Sequence, residues 1–388
     1  MNPSARVPWL LFAVAWGSNH FVPLLIVYRE RLALSSVELA VLFGVYAVGL
    51  VPGLLFGGPL SDRVGRRRIV VPSSAIALLG TCALGGAGSA GFPALLAGRF
   101  VVGLGAGATF SAGTAWVQDL AADEPIGTGA RRAAVALSSG FGGGPLVSGL
   151  LAQWLPAPMR LPYAVQGTVL VMTLVAVVLA GSEGSSLVHL APGAAGRATT
   201  PAPPDAPSPP GFAGVVLGAP WVFAFPAVSN AVLPALIRDR LGSFAVAFAG
   251  VVTSVTLLTG VAVQPKLRER SPRAANLFGL ACGAAGLLCG AAAAAGQSVA
   301  GVLVAAVLLG SGYGGCLIAG LRFIESNAAP RSRGRLNGVF YAMTYVGFAS
   351  PLVLAAIGRH VGEITAVMGA AALALATLAY RVLVRRAI

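Results

Sequence analysis

The stretch Gly58-Pro59-Leu60-Ser61-Asp62-Arg63-Val64-Gly65-Arg66-Arg67-Arg68 places four arginines and one aspartate between two long apolar runs. Those runs, 36–59 and 69–88, are each long enough to cross a bilayer core, which takes roughly 20 apolar residues in a helix. The charges therefore form a short connection at one membrane face. The pattern continues outward in both directions. Apolar segments fall at 8–28, 36–59, 69–88, 93–117, 132–154, 161–181, 212–237, 243–264, 274–296, 299–324, 336–358 and 363–383. Backbone groups in lipid must bond within their own segment or around a closed barrel. These runs are too long and too uniformly apolar for barrel strands. The expected fold is an all-α membrane protein with twelve crossings. Composition agrees: the 388 residues are 56% hydrophobic and 10% charged, against about a quarter charged in soluble domains.

The net charge of +14 does not form a nucleic-acid patch, because the basic residues sit in short clusters between segments. One set of segment ends carries 18 of them: Arg6, Arg63, Arg66, Arg67, Arg68, Arg131, Arg132, Arg197, Lys266, Arg268, Arg270, Arg273, Arg331, Arg333, Arg335, Arg381, Arg385 and Arg386. The other set carries 6: Arg29, Arg31, Arg160, Arg238, Arg240 and Arg359. This bias predicts that both termini lie in the cytoplasm. Lys266 is the one lysine, a usage that suggests a GC-rich bacterial genome and so a bacterial inner membrane. The four cysteines lie in apolar runs without metal-ligand spacing and are expected to be buried packing residues. No cofactor or metal is expected.

Residues 182–211 contain seven prolines and read as a polar, partly extended linker. It divides the chain into an expected six-helix bundle at 1–181 and a second at 212–388. The halves repeat. Ser18-Asn19-x-x-x-Pro23-x-Leu25-Ile26 recurs as Ser229-Asn230-x-x-x-Pro234-x-Leu236-Ile237. Gly103-x-Gly105-x-Gly107 recurs as Gly310-x-Gly312-x-Gly314, and Pro145-Leu146-Val147 as Pro351-Leu352-Val353. Leu60-x-Asp62-Arg63 returns in weakened form as Leu267-x-Glu269-Arg270. An even number of crossings per half relates the halves by a pseudo-two-fold along the membrane normal, as in transporters that bind substrate between two bundles.

The opening stretch resembles motif A of the major facilitator superfamily, G-x-L-x-D-R-x-G-R-R, at every defining position: Gly58, Leu60, Asp62, Arg63, Gly65, Arg66 and Arg67. The resemblance implies twelve helices in two bundles and alternating access. It implies that Asp62 meets the start of helix 11, near Leu336, and that Arg66 meets an acid at the end of helix 4, with Asp119 in that place. Those contacts would clasp the bundles when the outer side is open. Arg99-x-x-x-Gly103-x-Gly105-x-Gly107 resembles motif B without its usual Gln. Arg99 is either functional or reaches for the outer interface. Gly140-x-x-x-Gly144-Pro145-x-x-Ser148-Gly149 resembles motif C, with Ser148 for a glycine, and implies the drug/proton antiporter branch. Generic close packing of helices is the alternative.

Trp16, Asn19, His20 and Pro23 follow helical spacing in the first segment. Trp221, Phe223, Phe225 and Asn230 lie in the seventh, and Tyr313 in the tenth. Trp16, Asn19, His20, Trp221, Phe223, Phe225, Asn230 and Tyr313 are the expected cavity lining, suited to a lipophilic or amphipathic small molecule. The centres of helices 1 and 4 hold no acid, so His20 is the candidate proton carrier. The expected function is export of such a compound, by a monomer in the lipid bilayer, in exchange for protons. Import or uniport of a polar metabolite, or a receptor without transport, are the alternatives. No nucleophile–base pair or phosphate loop suggests an enzyme.

Overall fold

A computed structural model describes residues 3–125, 127–183, 209–328 and 332–384. The expected linker falls mostly on 184–208, outside the described residues, as do Arg197, Arg331, Arg385 and Arg386. The described residues form helices without strands, and twelve are long and apolar enough to span a membrane. They are α1 (Arg6–Leu32), α2 (Ser36–Val64), α3 (Arg66–Gly86), α4 (Gly91–Asp119), α5 (Thr128–Trp154), α6 (Leu161–Leu179), α7 (Phe212–Leu236), α8 (Arg238–Leu267), α9 (Pro272–Ala295), α10 (Val299–Asn327), α11 (Arg335–Val361) and α12 (Glu363–Leu383). Arg66 lies at the basic end of the molecule, opposite its far end.

One apolar core lies within α1–α6 and takes in Ala245, Val246 and Ala249 of α8. A second lies within α7–α12. The tight α2–α3 turn depends on Gly65, whose φ of +103° is open to glycine and strained for other residues. At the far end, Ser35 and Glu38 close a capping box on α2.

The repeated glycine triplets explain why the halves pack alike. A Cβ at Gly103 or Gly107 would strike the backbone of α2 at Tyr46 or Leu50. One at Gly105 would lie 2.5 Å from the Ala77 nitrogen of α3. In the second half, Gly310 and Gly314 press on Thr256 and Gly260 of α8, and Gly312 on Gly283 of α9. Each triplet thus seats one helix against two neighbours at backbone distance. Gly105→Val is expected to destabilise the fold by about 3 kcal/mol or more, the upper range for overpacking. Gly143→Val, where a Cβ meets nothing within 4 Å, is the control. Melting of the purified proteins should separate the two.

The repeated Asn-x-x-x-Pro marks a break in each bundle. Proline four residues after asparagine has no N–H for the asparagine carbonyl. In α1 the regular helix stops at Asn19, His20 is a turn residue, and helix resumes at Phe21. In α7, Val228–Val232 forms a π-helical turn.

The expectation of four buried cysteines is corrected. Cys316 is buried, Cys282 and Cys289 are half-buried, and Cys82 is exposed. An apolar run in a membrane protein has a lipid-facing side as well as a core side, and Cys82 is on the former.

Candidate transport site

The two bundles enclose a cavity of about 540 Å³. It runs from Asn19 and Asn230, at the two helix breaks, toward the basic end, where Leu54 and Leu55 of α2, Leu137 of α5 and Gly338 and Tyr341 of α11 line it. Its walls are apolar and rich in aromatic rings, and among the described residues none that lines it is charged. At its centre the Phe223 ring packs on Tyr345 and Phe348 at 4.9 Å each and faces Tyr313 at 6.2 Å. Phe348 of α11 also reaches Phe43 of α2 at 5.6 Å, joining the bundles.

Of the sequence-predicted lining, Asn19, Phe223, Asn230 and Tyr313 are in place. Trp16, His20, Trp221 and Phe225 are not, which is a correction with a simple cause. Residues one or two apart on a helix point about 100° or 200° apart, whereas those four apart share a face. Trp16 and His20 turn into their own bundle: Trp16 packs against Gly144 of α5, and the His20 ring meets Tyr163 of α6 at 4.7 Å. Asn19, one residue from His20, faces the cavity. Likewise Trp221 stacks on Phe225 at 5.1 Å inside the second bundle, and its indole N–H donates to Thr377 at 3.2 Å. Phe223, between them, faces the cavity.

His20 is fully buried and neither ring nitrogen has a hydrogen-bond partner. Its carbonyl accepts from Ser148 at 2.6 Å. Beside it Tyr28 and Tyr163 join their hydroxyls at 2.5 Å. Arg99 is 2% exposed and does not reach the interface. It donates to the carbonyls of Ser18 at 3.1 Å and Leu42 at 3.4 Å, and lies over the rings of Phe21 and Tyr46 at 4.3 and 4.5 Å. It thereby holds the chain next to the α1 break against α2. Gln166 is buried and donates to the Ala13 carbonyl at 3.0 Å, away from the cavity.

The motif C glycines face two ways. Gly140 and Gly144 press on α1 of their own bundle, whereas Pro145 and Gly149 meet Gly250 of α8 across the bundle seam. That seam is closed at the far end. The Gln153 side chain donates to the Ser243 carbonyl and accepts from the Ala247 N–H at 3.2 Å. Ser36 donates to Glu363 at 3.3 Å, and Arg29 to Ser36 at 2.8 Å. A pocket of about 60 Å³ remains there, bordered by Asn230, whose side-chain oxygen is buried without a partner. Asn230 borders both chambers.

At the basic end Arg66 donates to Asp119 at 3.0 Å and to Ser61 at 2.7 Å, and pairs with Asp62. All of these belong to one bundle. Gly58 lets α2 approach Ser111 of α4. Arg63 is exposed, and Arg67 donates to the Val178 carbonyl of α6 at 2.8 Å.

Sequence reading missed Phe43, Tyr46, Phe110, Phe141, Tyr341, Tyr345 and Phe348 as lining. The signal for three of them was available: Tyr341, Tyr345 and Phe348 follow the i, i+4, i+7 spacing of one helix face. Phe223→Ala is expected to weaken binding of an aromatic ligand about tenfold, since stacked pairs contribute about 0.5–1.5 kcal/mol each. A binding titration on folded variant checks this.

Two six-helix bundles around a cavity that opens at one end define a membrane carrier. The Major Facilitator Superfamily model matches residues 9–351, and the chain belongs to that superfamily. Similar proteins include the 3-(3-hydroxy-phenyl)propionate transporter of Escherichia coli (strain K12), 39% identical over 20% of this chain and 19% of that one. Multidrug resistance protein MdtL of Shigella flexneri is 34% identical over 22% of this chain and 21% of its own. The bacillibactin exporter of Bacillus subtilis is 29% identical over 36% of each. Each match spans well under half of the relative's length. Among solved structures, nucleoside transporter NupG superposes with a TM-score of 0.79 at 12% identity, covering 98% of this chain and 99% of that one. A POT family transporter complexed with 5-aminolevulinic acid gives 0.81 at 11% identity, covering 98% and 95%. These two share the fold.

Proposed function

We propose that the protein exports a small lipophilic or amphipathic compound from the cytoplasm by alternating access, in exchange for protons. The observation that carries this reading is the uncharged, aromatic cavity open at the basic end. By the positive-inside rule that end is cytoplasmic, so cargo enters from the cytoplasm. The cavity suits a neutral ring system: aromatic walls supply burial, and Asn19, Asn230 and the tyrosine hydroxyls orient it. A free carboxylate would meet no cation there. Two relatives named for multidrug resistance and for bacillibactin export support export.

The chain acts as a monomer in this reading, with one cavity per molecule. Motif A is the inner clasp: with the basic end open, Asp62 rests on Arg66, and on closure it meets the start of α11. His20 is the proton carrier. It sits behind the cavity rather than in it, so protonation acts through the α1 break, where His20 and Asn19 are adjacent.

The test is flux of a lipophilic aromatic dye in proteoliposomes carrying a proton gradient. Gradient-dependent accumulation on the far side, lost on adding a protonophore, is the expected result. Flux indifferent to the gradient removes the exchange. His20→Gln is expected to leave dye binding within about twofold while lowering gradient-driven flux by at least about tenfold. Unchanged coupling in that variant removes the assignment to His20.

A further inference from the structure

Two helices show the same residues to the cavity and to the outside of the molecule. In α2, Val48 and Leu55 are seven residues apart and share one helix face, where both are exposed, at 62% and 52%. In α11, Ala342 lies between Val339 and Val346 on a face exposed at all three positions. Both helices are membrane spans, so acyl chains cover these outward apolar faces. Yet Leu55 and Ala342 also line the cavity. The wall between α2 and α11 is interrupted where they stand. Nearer the far end the two helices touch. Phe43 and Phe348 are 5.6 Å apart, and a Cβ on Gly44 would lie 3.8 Å from the Phe348 carbonyl oxygen. One turn before Ala342, in contrast, a Cβ on the cavity-lining Gly338 would meet nothing within 4 Å.

The depth of the gap identifies what lies outside it. Leu55 is nine residues from the basic end of α2, and Ala342 seven from that of α11. At 1.5 Å per residue these are about 13 and 10 Å along the helices. Spans of 29 and 27 residues exceed the roughly 30 Å hydrocarbon core by about 5–7 Å at each end. Both side chains therefore stand among the acyl chains of one leaflet, below its headgroups. We propose that the slit between α2 and α11 is a lateral portal, through which lipophilic cargo passes from the acyl chains of the cytoplasmic leaflet into the cavity without crossing water. The partner of this surface is the bilayer. The proposal rests on the export reading for the direction of passage only; the opening to lipid does not depend on what is carried. In the clasp described above, Asp62 meets the start of α11, and that movement draws the same two helices together. The portal then shuts with the basic end.

The test places a fluorophore inside the cavity, at Leu317→Cys of α10, in a protein whose native cysteines are replaced and which is held in phosphatidylethanolamine–phosphatidylglycerol nanodiscs. Phospholipid with a nitroxide on its acyl chain is expected to quench it more than phospholipid with a nitroxide on its headgroup. Ala342→Trp sets an indole in the slit and is expected to remove that difference; Gly338→Phe, one turn away, is a second block. Ala342→Trp is also expected to slow capture of a bilayer-partitioned aromatic dye by at least about tenfold, equivalent to about 1.4 kcal/mol in the entry barrier. Equilibrium binding of the dye in detergent is expected to stay within about twofold, a small fraction of a binding free energy. Equal quenching by the two lipids overturns the portal, as does quenching that both blocking variants leave unchanged. So does a loss of equilibrium binding as large as the loss of rate, which marks a plugged cavity rather than a closed entry. Quenching is read without transport, so a protein that fails to export the dye still reports whether its cavity meets lipid.

Discussion

Gly250→Trp is expected to abolish transport while leaving a folded protein. Gly250 packs against Pro145 and Gly149, where a Cβ would lie 2.6 Å from the Pro145 carbonyl oxygen. The two helices belong to different bundles, and this approach is made with the far end closed. An indole in the seam opposes that closure. Overpacking costs about 1–3 kcal/mol, and each 1.4 kcal/mol is about tenfold in population. At the upper figure, the closed-far-end state falls by about 100-fold, and flux through any cycle that visits it falls with it. Dye flux in proteoliposomes measures the loss. A melting temperature within a few degrees of wild type shows that the bundles remain intact.

Asp62→Asn is expected to fail in the opposite sense. With the basic end open, Asp62 is one of two carboxylates on Arg66, and Asp119 keeps the other contact at 3.0 Å. The charge at position 62 is therefore expendable in this state, since exposed pairs contribute about 0–1 kcal/mol. In the proposed closed-basic-end state it faces the N-terminus of α11, where a negative charge is stabilising by up to about 2 kcal/mol. Its loss is expected to lower flux by about tenfold and leave the protein with its basic end open. A proteolysis or labelling assay at that end distinguishes this from the Gly250→Trp outcome.

The fold was legible because a membrane leaves few solutions: long apolar runs, basic connections and an internal repeat specify twelve helices in two halves. The repeat also carried more than topology. Asn19-x-x-x-Pro23 and Asn230-x-x-x-Pro234 are the helix breaks, and the Gly103 and Gly310 triplets are three-helix crossings. The cavity was less legible. Apolar helices have no solvent face to give a direction, so hydrophobic periodicity does not say which side meets the other bundle. His20 and Asn19 are neighbours in sequence and look in different directions; Trp221 and Phe225 flank Phe223 and turn away from it. Arg99 could be noticed as costly, but its role next to the α1 break needed the Ser18 and Leu42 carbonyls in space.

Alternation itself is tested most directly by pulsed electron–electron resonance between spin labels placed across the seam. Labels at 131 and 268 span the basic end, and labels at 157 and 240 the far end, in a protein whose native cysteines are replaced. Relative to Asp62→Asn, Gly250→Trp is predicted to shorten the 131–268 distance and lengthen the 157–240 distance. Both distances unchanged, or both moving in the same direction, would contradict alternating access about the Asn19–Asn230 level.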